Sequence, residues 1–450
     1  MRSVTLAREI CMPYLHFPTL RSTYTDLTAS TLVAMTCVAL LGTCDTKIEE
    51  LLYLRNVICE ANVEVMLIDV GRSPTDHQLI TVSQASLLST YTGDKNVAEQ
   101  ERGEFVKIMA VCATKAVKLL HEQGSIHGIV AIGGSGGTSI ASSVMRNALP
   151  IGFPKLIVST IASGDTGPIV GETDISLMYS VVDISGLNEI LRDILSNAAT
   201  AIASMALGYS RREPRATSRK RKRVGITMFG VTTPAVDEIR KYLESRYAID
   251  TFVFHATGHG GMAMERLIQE GRIDAVLDLT TTEICDHITG GVMSAGPKRL
   301  EAAAAAGIPN IVSVGATDMT NFGPLKTVPE RFKDRKLYEH NPVITLMRTS
   351  QKEAAQVGEF IVSKLKTHAK DPRMIEVWLP KGGISMIGIH GGPFADGEAD
   401  AVLFEAIESG LAHSEISVVK DDRAINDVGF ARDIAEALAA KLALVPVLME

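Results

Sequence analysis

A short apolar run that breaks into glycines and then continues as a helical pattern most constrains the fold of this chain. Residues 128–133 (GIVAIG) form the run, and residues 134–140 (GSGGTSI) follow it directly. Glycines let backbone N–H groups approach a ligand closely, and the helix dipole favours a negative charge at a helix N-terminus. The stretch therefore predicts a strand, an anion-binding loop and a helix, with the anion contacted by Gly133, Gly134, Ser135, Gly136, Gly137 and Thr138.

The glycines of this loop also allow a second interpretation, in which they only form a tight turn that packs the helix on the strand. The loop is neither a Gly-x-Gly-x-x-Gly sequence nor a Walker A sequence, so these fingerprints do not identify a ligand. Under the first interpretation the ligand is a phosphate or another anion.

The same order of apolar run, polar loop and amphipathic helix recurs along the chain from residue 32 onward. Near-continuous apolar runs are typical of parallel strands that are covered on both faces. Ligands of open parallel sheets bind outside the carboxyl ends of the strands, so loops that are distant in sequence can form one site there. The pattern predicts an α/β fold with two Rossmann-like domains, each a mostly parallel sheet flanked by helices.

A chain of 450 residues is longer than one typical domain, and a basic, proline-containing stretch interrupts it near the middle. We expect an N-terminal extension at residues 1–30, a nucleotide- or phosphate-binding domain at 31–209, a linker at 210–223 and a second α/β domain at 224–450. The linker is interpreted as a solvated hinge rather than a nucleic-acid signal, because the rest of the chain is acidic.

The net charge and the spacing of the cysteines indicate which partners and which cellular compartment to expect. The net charge of −7 argues against nucleic acid or an anionic membrane as the main partner, because both attract positively charged proteins. The six cysteines lack CxxC spacing, which is typical of free thiols in a reducing compartment. No apolar run is long enough to suggest a membrane span. The expected location is the cytoplasm.

Two further loops of the first half are predicted to meet the glycine loop at one sheet edge. Residues 42–47 (GTCDTK) and 163–165 (SGD) each follow an apolar run. Lys47 is either a phosphate ligand or an ordinary exposed lysine, and Asp45 is either a helix cap or a cation ligand acting through water. The predicted cofactor contacts in these loops are Gly42, Thr43, Asp45, Thr46, Lys47, Ser163, Gly164 and Asp165.

A polar segment at residues 71–103 is longer than an ordinary connection, which makes it a candidate lid over the ligand.

The second half carries the candidate catalytic groups. Glu283, Asp286 and His287 follow a predicted strand within one helical turn, so a carboxylate and an imidazole would face one crevice. Arg348 follows another strand and is a candidate for bidentate binding of a substrate carboxylate. The predicted catalytic set is Glu283, His287 and Arg348. No metal site is predicted, because the histidine spacing of zinc helices is lacking.

Three further histidines lie in glycine- or proline-rich loops, namely His259, His340 and His390. Loop side chains are commonly functional. For each histidine alone, a structural role as a hydrogen-bonded bridge between loops is the stronger interpretation.

Taken together, these motifs resemble the Tm-1-like ATP-binding family, also called UPF0261. The resemblance covers about residues 35–445 and rests on the stretches 42–47, 133–138, 164–165, 257–261, 281–283, 290–292, 315–319 and 340–342. It implies two α/β domains and ATP binding in the first, at residues 42–47 together with residues 133–138. It leaves the activity of the second half unassigned, and the extension at residues 1–30 departs from the family pattern.

Three hypotheses for function follow. The first is an enzyme that binds ATP or another nucleotide, alone or with Mg²⁺, and acts on a small anionic metabolite in the cleft between the two domains. The second is a non-catalytic ATP-binding module for a protein partner. The third is a nucleotide-independent enzyme that acts on a carboxylate or sugar acid. Alanine-rich helical stretches such as residues 301–306 make a homodimer a reasonable expectation.

Overall fold

The structure is a computed structural model that describes residues 35–92, 97, 100–212 and 221–446. The predicted extension at residues 1–30 and most of the predicted linker lie outside the described residues. At the edges of that linker, Ser210 is the last residue of a helix, and Lys222 and Arg223 belong to a strand.

The described strands of the first half form one parallel sheet in the order β3-β2-β1-β4-β5-β6. This is the Rossmann order, in which the chain reverses its direction of winding between β1 and β4. The strands are β1 (Cys37–Gly42), β2 (Glu64–Asp69), β3 (Ile80–Val82), β4 (Gly128–Gly133), β5 (Lys155–Ser159) and β6 (Ser176–Tyr179). The helices are α1 (Cys44–Glu60), α2 (Gln84–Thr92), α3 (Arg102–Glu122), α4 (Ser135–Ala148), α5 (Gly167–Val170) and α6 (Glu189–Ser210).

Apolar side chains of this sheet point alternately into two cores. Ala39 and Ile129 pack with α3 and α4 on one face, whereas Leu40 and Val130 pack with α1 and α6 on the other. Every residue of β1 and β4 is buried, as parallel strands covered on both sides require.

The second half has a parallel sheet in the order β15-β14-β10-β9-β7-β8. Numbered from its own first strand, this is the flavodoxin-like order, with the reversal between β7 and β9. Its strands are β7 (Lys222–Met228), β8 (Ile249–His255), β9 (Ala275–Thr280), β10 (Asn310–Gly315), β14 (Ile375–Pro380) and β15 (Ser417–Asp421). Its helices are α7 (Thr233–Arg246), α8 (His259–Gln269), α9 (Glu283–Thr289), α10 (Glu301–Ala306), α11 (Gln351–His368), α12 (Gly397–Leu411) and α13 (Val428–Lys441).

A small antiparallel sheet, in the order β11-β13-β12, is inserted between β10 and α11. Its strands are β11 (Met319–Phe322), β12 (Leu337–Asn341) and β13 (Ile344–Arg348). The predicted fold of two α/β domains is confirmed, but the sequence did not predict this insertion.

The segment 71–103 contains β3, α2 and the start of α3, and Leu87 of α2 is buried in the core. Its role as a lid over the ligand stays a prediction.

Among the described residues, α6 is the one helix long and apolar enough to cross a membrane by length and composition alone. Core helices meet the same criterion, and one face of α6, including Leu191, Leu195 and Ile202, is buried against the first sheet.

Candidate functional site

The three loops predicted to meet in the first half follow β1, β4 and β5, which are neighbouring parallel strands. Their carboxyl ends therefore lie at one edge of the sheet, and β1 and β4 flank the point where the winding reverses. The loop after β5 contacts the loop after β4, because the Thr160 N–H donates to the Gly133 carbonyl at 3.2 Å. The Thr138 and Ser159 hydroxyls are hydrogen-bonded at 2.7 Å.

The glycine loop turns directly from β4 into α4. A Cβ on Gly133 would lie 3.0 Å from the Gly137 Cα, so the tight turn requires glycine at this position. Gly134 is the N-cap of α4, and no side chain in the described part of the chain caps the helix there. A Cβ on Gly136 would lie 3.8 Å from a guanidinium nitrogen of Arg102. The first turn of α4 therefore combines uncapped backbone amides with a nearby positive charge.

A cavity of about 420 Å³ extends from this turn along α4. It is lined by hydroxyl groups, an arginine, an amide and the loop after β5, contributed by Ser135, Thr138, Ser139, Ser142, Ser143, Arg146, Asn147, Ile161, Pro168 and Ile169. Of the predicted residues, only Ser135 and Thr138 line this cavity.

The loop after β1 is arranged differently, because carboxylates already occupy it. The Asp45 carboxylate accepts the Arg72 and Ser73 N–H groups at 2.9 and 3.0 Å, so Asp45 holds a neighbouring loop rather than capping α1. Asp69 accepts the Cys44 N–H at 3.1 Å, and burial raises the pKa of Asp69. The Lys47 ammonium donates to the Ile184 carbonyl. The predicted role of Lys47 as a phosphate ligand stays a prediction.

The loop after β5 carries Ser163, Gly164 and Asp165, all exposed. The Asp165 carboxylate accepts the Gly167 N–H at 3.0 Å. A Cβ on Gly167 would lie 3.8 Å from Nε2 of His259 in the second half. The second half therefore reaches this loop through the first residue of α8.

The second half has its own glycine loop, between β8 and α8, and the Glu283 carboxylate occupies it. Glu283 Oε1 accepts the Gly258 N–H at 2.7 Å and the Gly261 N–H at 3.0 Å. Glu283 Oε2 accepts from Arg299 at 2.8 Å. Burial raises the pKa of Glu283, although Arg299 favours the charged form. Both oxygens of this predicted catalytic acid are thus engaged inside the protein.

The other predicted catalytic residues also have partners. His287 packs edge-on against Phe360 and lies 3.3 Å from the Ser294 hydroxyl. Arg348 forms an ion pair of 2.6 Å with Asp400 and is only 4% exposed. The catalytic roles of Glu283, His287 and Arg348 stay predictions, but their polar groups contact different partners.

Asp286, next to these residues in sequence, accepts the Asn321 N–H at 2.8 Å and the Met293 N–H at 2.7 Å. Burial raises its pKa to about 7.

A second cavity, of about 910 Å³, lies between the two halves. Residues of α3 and α4 line one side, and residues of α8 with the loop before α10 line the other. Arg146 and Asn147 line both this cavity and the one along α4. An ion pair of 3.1 Å between Arg266 and Glu172 joins the two halves.

The hydroxyl-lined face of α4 was not predicted as a unit, although Ser135 and Thr138 were predicted contacts. Ser135, Ser139, Ser142 and Arg146 recur at intervals of three and four residues, so they share one face of the helix. That spacing could have identified this polar helix face from the sequence.

The fold and these sites define a protein of two α/β domains, each with a glycine loop that opens a helix at the carboxyl edge of its sheet. Residues 36–211 match the N-terminal domain of the uncharacterised protein family UPF0261, and residues 221–442 match its C-terminal domain. The chain belongs to this family, as its motifs predicted.

Relatives in bacteria and plants agree with this assignment. A UPF0261 protein of Clostridium tetani is 43% identical over 408 residues, covering 89% of this chain and 98% of that protein. The ToMV resistance protein Tm-1 of Solanum lycopersicum is 38% identical over 417 residues, covering 88% of this chain and 54% of that protein.

Solved structures show only a distant likeness. MurG of Acinetobacter baumannii covers 89% of this chain and 99% of its own at 10% identity, with a TM-score of 0.20. A putative UDP-N-acetylglucosamine 2-epimerase of Listeria monocytogenes covers 85% of this chain and 98% of its own at 11% identity, with a TM-score of 0.21. Scores this low carry no inference about function.

Proposed function

We propose that the first half binds a phosphate group of a nucleotide, with ATP as the first candidate, at the N-terminus of α4. We propose further that the protein is an enzyme that acts on a small anionic metabolite in the cleft between the two halves.

The observation that carries the proposal is a contrast between the two glycine loops. The amides that open α8 are matched by an internal carboxylate, that of Glu283. The amides that open α4 have no side-chain cap among the described residues. Since a helix N-terminus favours negative charge, the α4 end is suited to an anion supplied by a ligand.

The cavity beside α4 supports a ligand larger than phosphate alone. Arg146 and Asn147 line both this cavity and the one between the halves, so a nucleotide with its phosphates at Ser135 would extend toward the interdomain cleft. The proximity of His259 to Gly167 brings a titratable group of the second half to the same edge.

A Mg²⁺ ion fits this proposal as part of the nucleotide complex. The described residues contain no group of three or more His, Cys, Asp or Glu side chains that could hold a metal. Mg²⁺ commonly keeps several waters and binds through substrate phosphates with one or two carboxylates. Asp45, in the first turn of α1, and Asp165, in the loop after β5, are the candidates.

The test places a carboxylate of the protein itself at the N-terminus of α4, where the ligand anion is proposed to bind. Gly134→Asp places a carboxylate at the N-cap of α4, where a Cβ meets nothing closer than the Thr160 hydroxyl at 3.7 Å. We expect it to raise the free energy of unfolding by about 0.5 kcal/mol without ligand, because Asp is a better N-cap than Gly. It should also remove the increase in melting temperature that ATP with Mg²⁺ gives the wild type.

Gly134→Ala is the matched control, because it adds the Cβ without the charge and should keep the response to ATP. An unchanged response of Gly134→Asp would exclude the α4 site. A wild type that responds to gluconate or citrate but not to nucleotides would exclude ATP in favour of an organic acid. Tight ATP binding without turnover of any tested metabolite would favour the non-catalytic module.

A further inference from the structure

A third cavity, of about 210 Å³, lies at the carboxyl ends of β7 and β8 in the second half. The turn after β7, with Phe229, Gly230 and Val231, forms one side, and the end of β8, with His255 and Thr257, forms another. The hairpin of β12 and β13 closes it with His340 and Asn341. Its lining shares no residue with the other two cavities.

The walls of this cavity are mainly apolar. The apolar side chains that line it are those of Val231, Met293, Ile344 and Leu346. The first three belong to different segments that the fold brings together. The His255 ring stacks on Phe229 with centroids 5.6 Å apart, which holds the imidazole at the wall. An apolar body of a ligand would therefore be buried here, next to an oriented imidazole.

The polar groups of the lining are suited to one negative charge. They are the imidazoles of His255 and His340, the Asn341 amide and the Thr257 hydroxyl. Asn341 Oδ1 accepts the Val343 N–H at 2.9 Å, which leaves its NH₂ group to donate. The lining includes no carboxylate to repel an anion, and no lysine or arginine to favour a multiply charged phosphate.

We propose that this cavity binds a compact monocarboxylate with a branched aliphatic or aromatic body. The carboxylate accepts hydrogen bonds from the imidazoles and the Asn341 amide, and the body packs against Val231, Met293 and Leu346. The cavity is too small for a nucleotide, since pockets for drug-sized ligands occupy about 300–1,000 Å³. The site is thus separate from the proposed nucleotide site.

Calorimetric titration of the full chain with benzoate and 4-methylpentanoate tests this site, with benzamide and 4-methylpentanamide as neutral counterparts of equal shape. We expect the carboxylates to bind at least about tenfold more tightly than the amides, since hydrogen bonds to a charged acceptor contribute more than hydrogen bonds to a neutral one. His340→Leu should remove this preference. His413→Leu, an exposed histidine after α12, is the matched control and should keep it.

Gly230→Leu provides an independent variant that does not touch the histidines. Gly230 lines the cavity, and a Cβ built on it meets no atom within 4 Å, so the backbone there leaves room for a side chain. It should weaken carboxylate binding and leave the melting temperature close to that of the wild type. Absence of carboxylate binding to the wild type, equal binding of acid and amide, or undiminished binding to both cavity variants would each overturn the proposal.

Discussion

Glu283 and Arg299 form a buried ion pair, with Glu283 Oε2 2.8 Å from Arg299 Nε. Arg299 also contacts Asp278 at 2.5 Å and Glu265 at 3.3 Å, so one guanidinium faces three carboxylates. Backbone amides offset the excess negative charge. Gly258 and Gly261 donate to Glu283, and the amides of Leu300 and Ala302 donate to Glu265 at 2.6 and 2.7 Å. The cluster thus joins β9 and the N-termini of α8, α9 and α10.

Replacing Glu283 with Gln should destabilise the protein rather than only remove a catalytic group. The Gln side chain has an NH₂ group in place of one carboxylate oxygen, and this group cannot accept a hydrogen bond from Arg299. The buried cluster therefore loses one negative charge and one acceptor. We expect the free energy of unfolding to fall by about 1–3 kcal/mol, because Arg299 keeps Asp278 and Glu265 as partners but its buried Nε–H loses its acceptor. Urea denaturation measures this.

Glu330→Gln is the control for that variant, because Glu330 pairs with Lys333 on the surface and its side chain is 85% exposed. Exposed pairs contribute at most about 1 kcal/mol, so Glu330→Gln should lie within about 0.5 kcal/mol of the wild type. Equal stability of the two variants would contradict a structural role for Glu283.

Gly133 and Gly134 should differ sharply in their tolerance of alanine, although they are adjacent. A Cβ on Gly133 would lie within 3.0–3.2 Å of the Gly137 and Thr138 backbone, whereas a Cβ on Gly134 meets only the Thr160 hydroxyl at 3.7 Å. We expect Gly133→Ala to lower the free energy of unfolding by about 1–3 kcal/mol, as overpacking does, and Gly134→Ala to lower it by only about 0.5 kcal/mol, because Ala is a poorer N-cap than Gly. Chemical denaturation of both variants measures the difference. Similar values would mean that the loop does not need this close approach.

These cases show what the sequence can predict. The loop at residues 133–138 was identifiable because all of its determinants are local: an apolar run, glycines and a helical pattern. The partners of Glu283 were not, since Gly258 and Gly261 lie 25 and 22 residues away and meet it only in the tertiary fold.

Arg348 makes the same point, because its carboxylate partner Asp400 lies 52 residues further along the chain. The sequence predicted that Arg348 lies at the end of a strand, and it is the last residue of β13, but a single sequence does not show whether the guanidinium is already paired. The strand order of the second sheet likewise depends on packing between distant segments.

Asp318 should make stability depend on pH. Burial raises its pKa from 3.8 to about 6. The folded protein therefore binds this proton more tightly than the unfolded chain, so the contribution to stability is complete below about pH 4 and is lost as the pH rises through about 6. Asp318 Oδ2 accepts from the Ser385 hydroxyl at 2.6 Å, whereas Oδ1 is buried without a partner among the described residues.

Asp318→Asn tests this dependence, because the amide keeps an acceptor for Ser385 and does not ionise. Burial of the NH₂ group in the variant costs the same free energy at every pH. The test therefore compares the stability difference between variant and wild type at two pH values. The free energy of unfolding of the variant minus that of the wild type should be about 1–2 kcal/mol higher at pH 8 than at pH 5, because only the wild type loses stability over this range. Asp422→Asn, at an exposed turn, is the control. Parallel pH profiles of wild type and Asp318→Asn would contradict the assignment.

Arg266 should couple the unfolding of the two halves. Its guanidinium donates to the Leu149 carbonyl at 2.6 Å and pairs with Glu172 at 3.1 Å, both in the first half, and only 14% of its side chain is exposed. Arg266→Gln removes these links, while Glu172 keeps its pair with Arg146 at 2.9 Å. We expect a loss of about 1–3 kcal/mol of coupling, because buried hydrogen bonds to charged groups contribute about this much each. Calorimetry should then show a thermal transition whose van't Hoff enthalpy falls below the calorimetric enthalpy, the sign of halves that unfold separately.

The control for Arg266 is Arg240→Gln, which removes an exposed arginine of α7 that lies 4.0 Å from Asp237 within the same helix. This variant contacts only its own half, so it should leave the ratio of the two enthalpies at the wild-type value. If Arg266→Gln also left the ratio unchanged, other contacts between the halves would carry the coupling, such as those of Glu270 and Arg272 with the backbone of Ile151. Because Arg266 lines the interdomain cavity, a ligand bound there would be expected to restore the coupling that the variant loses.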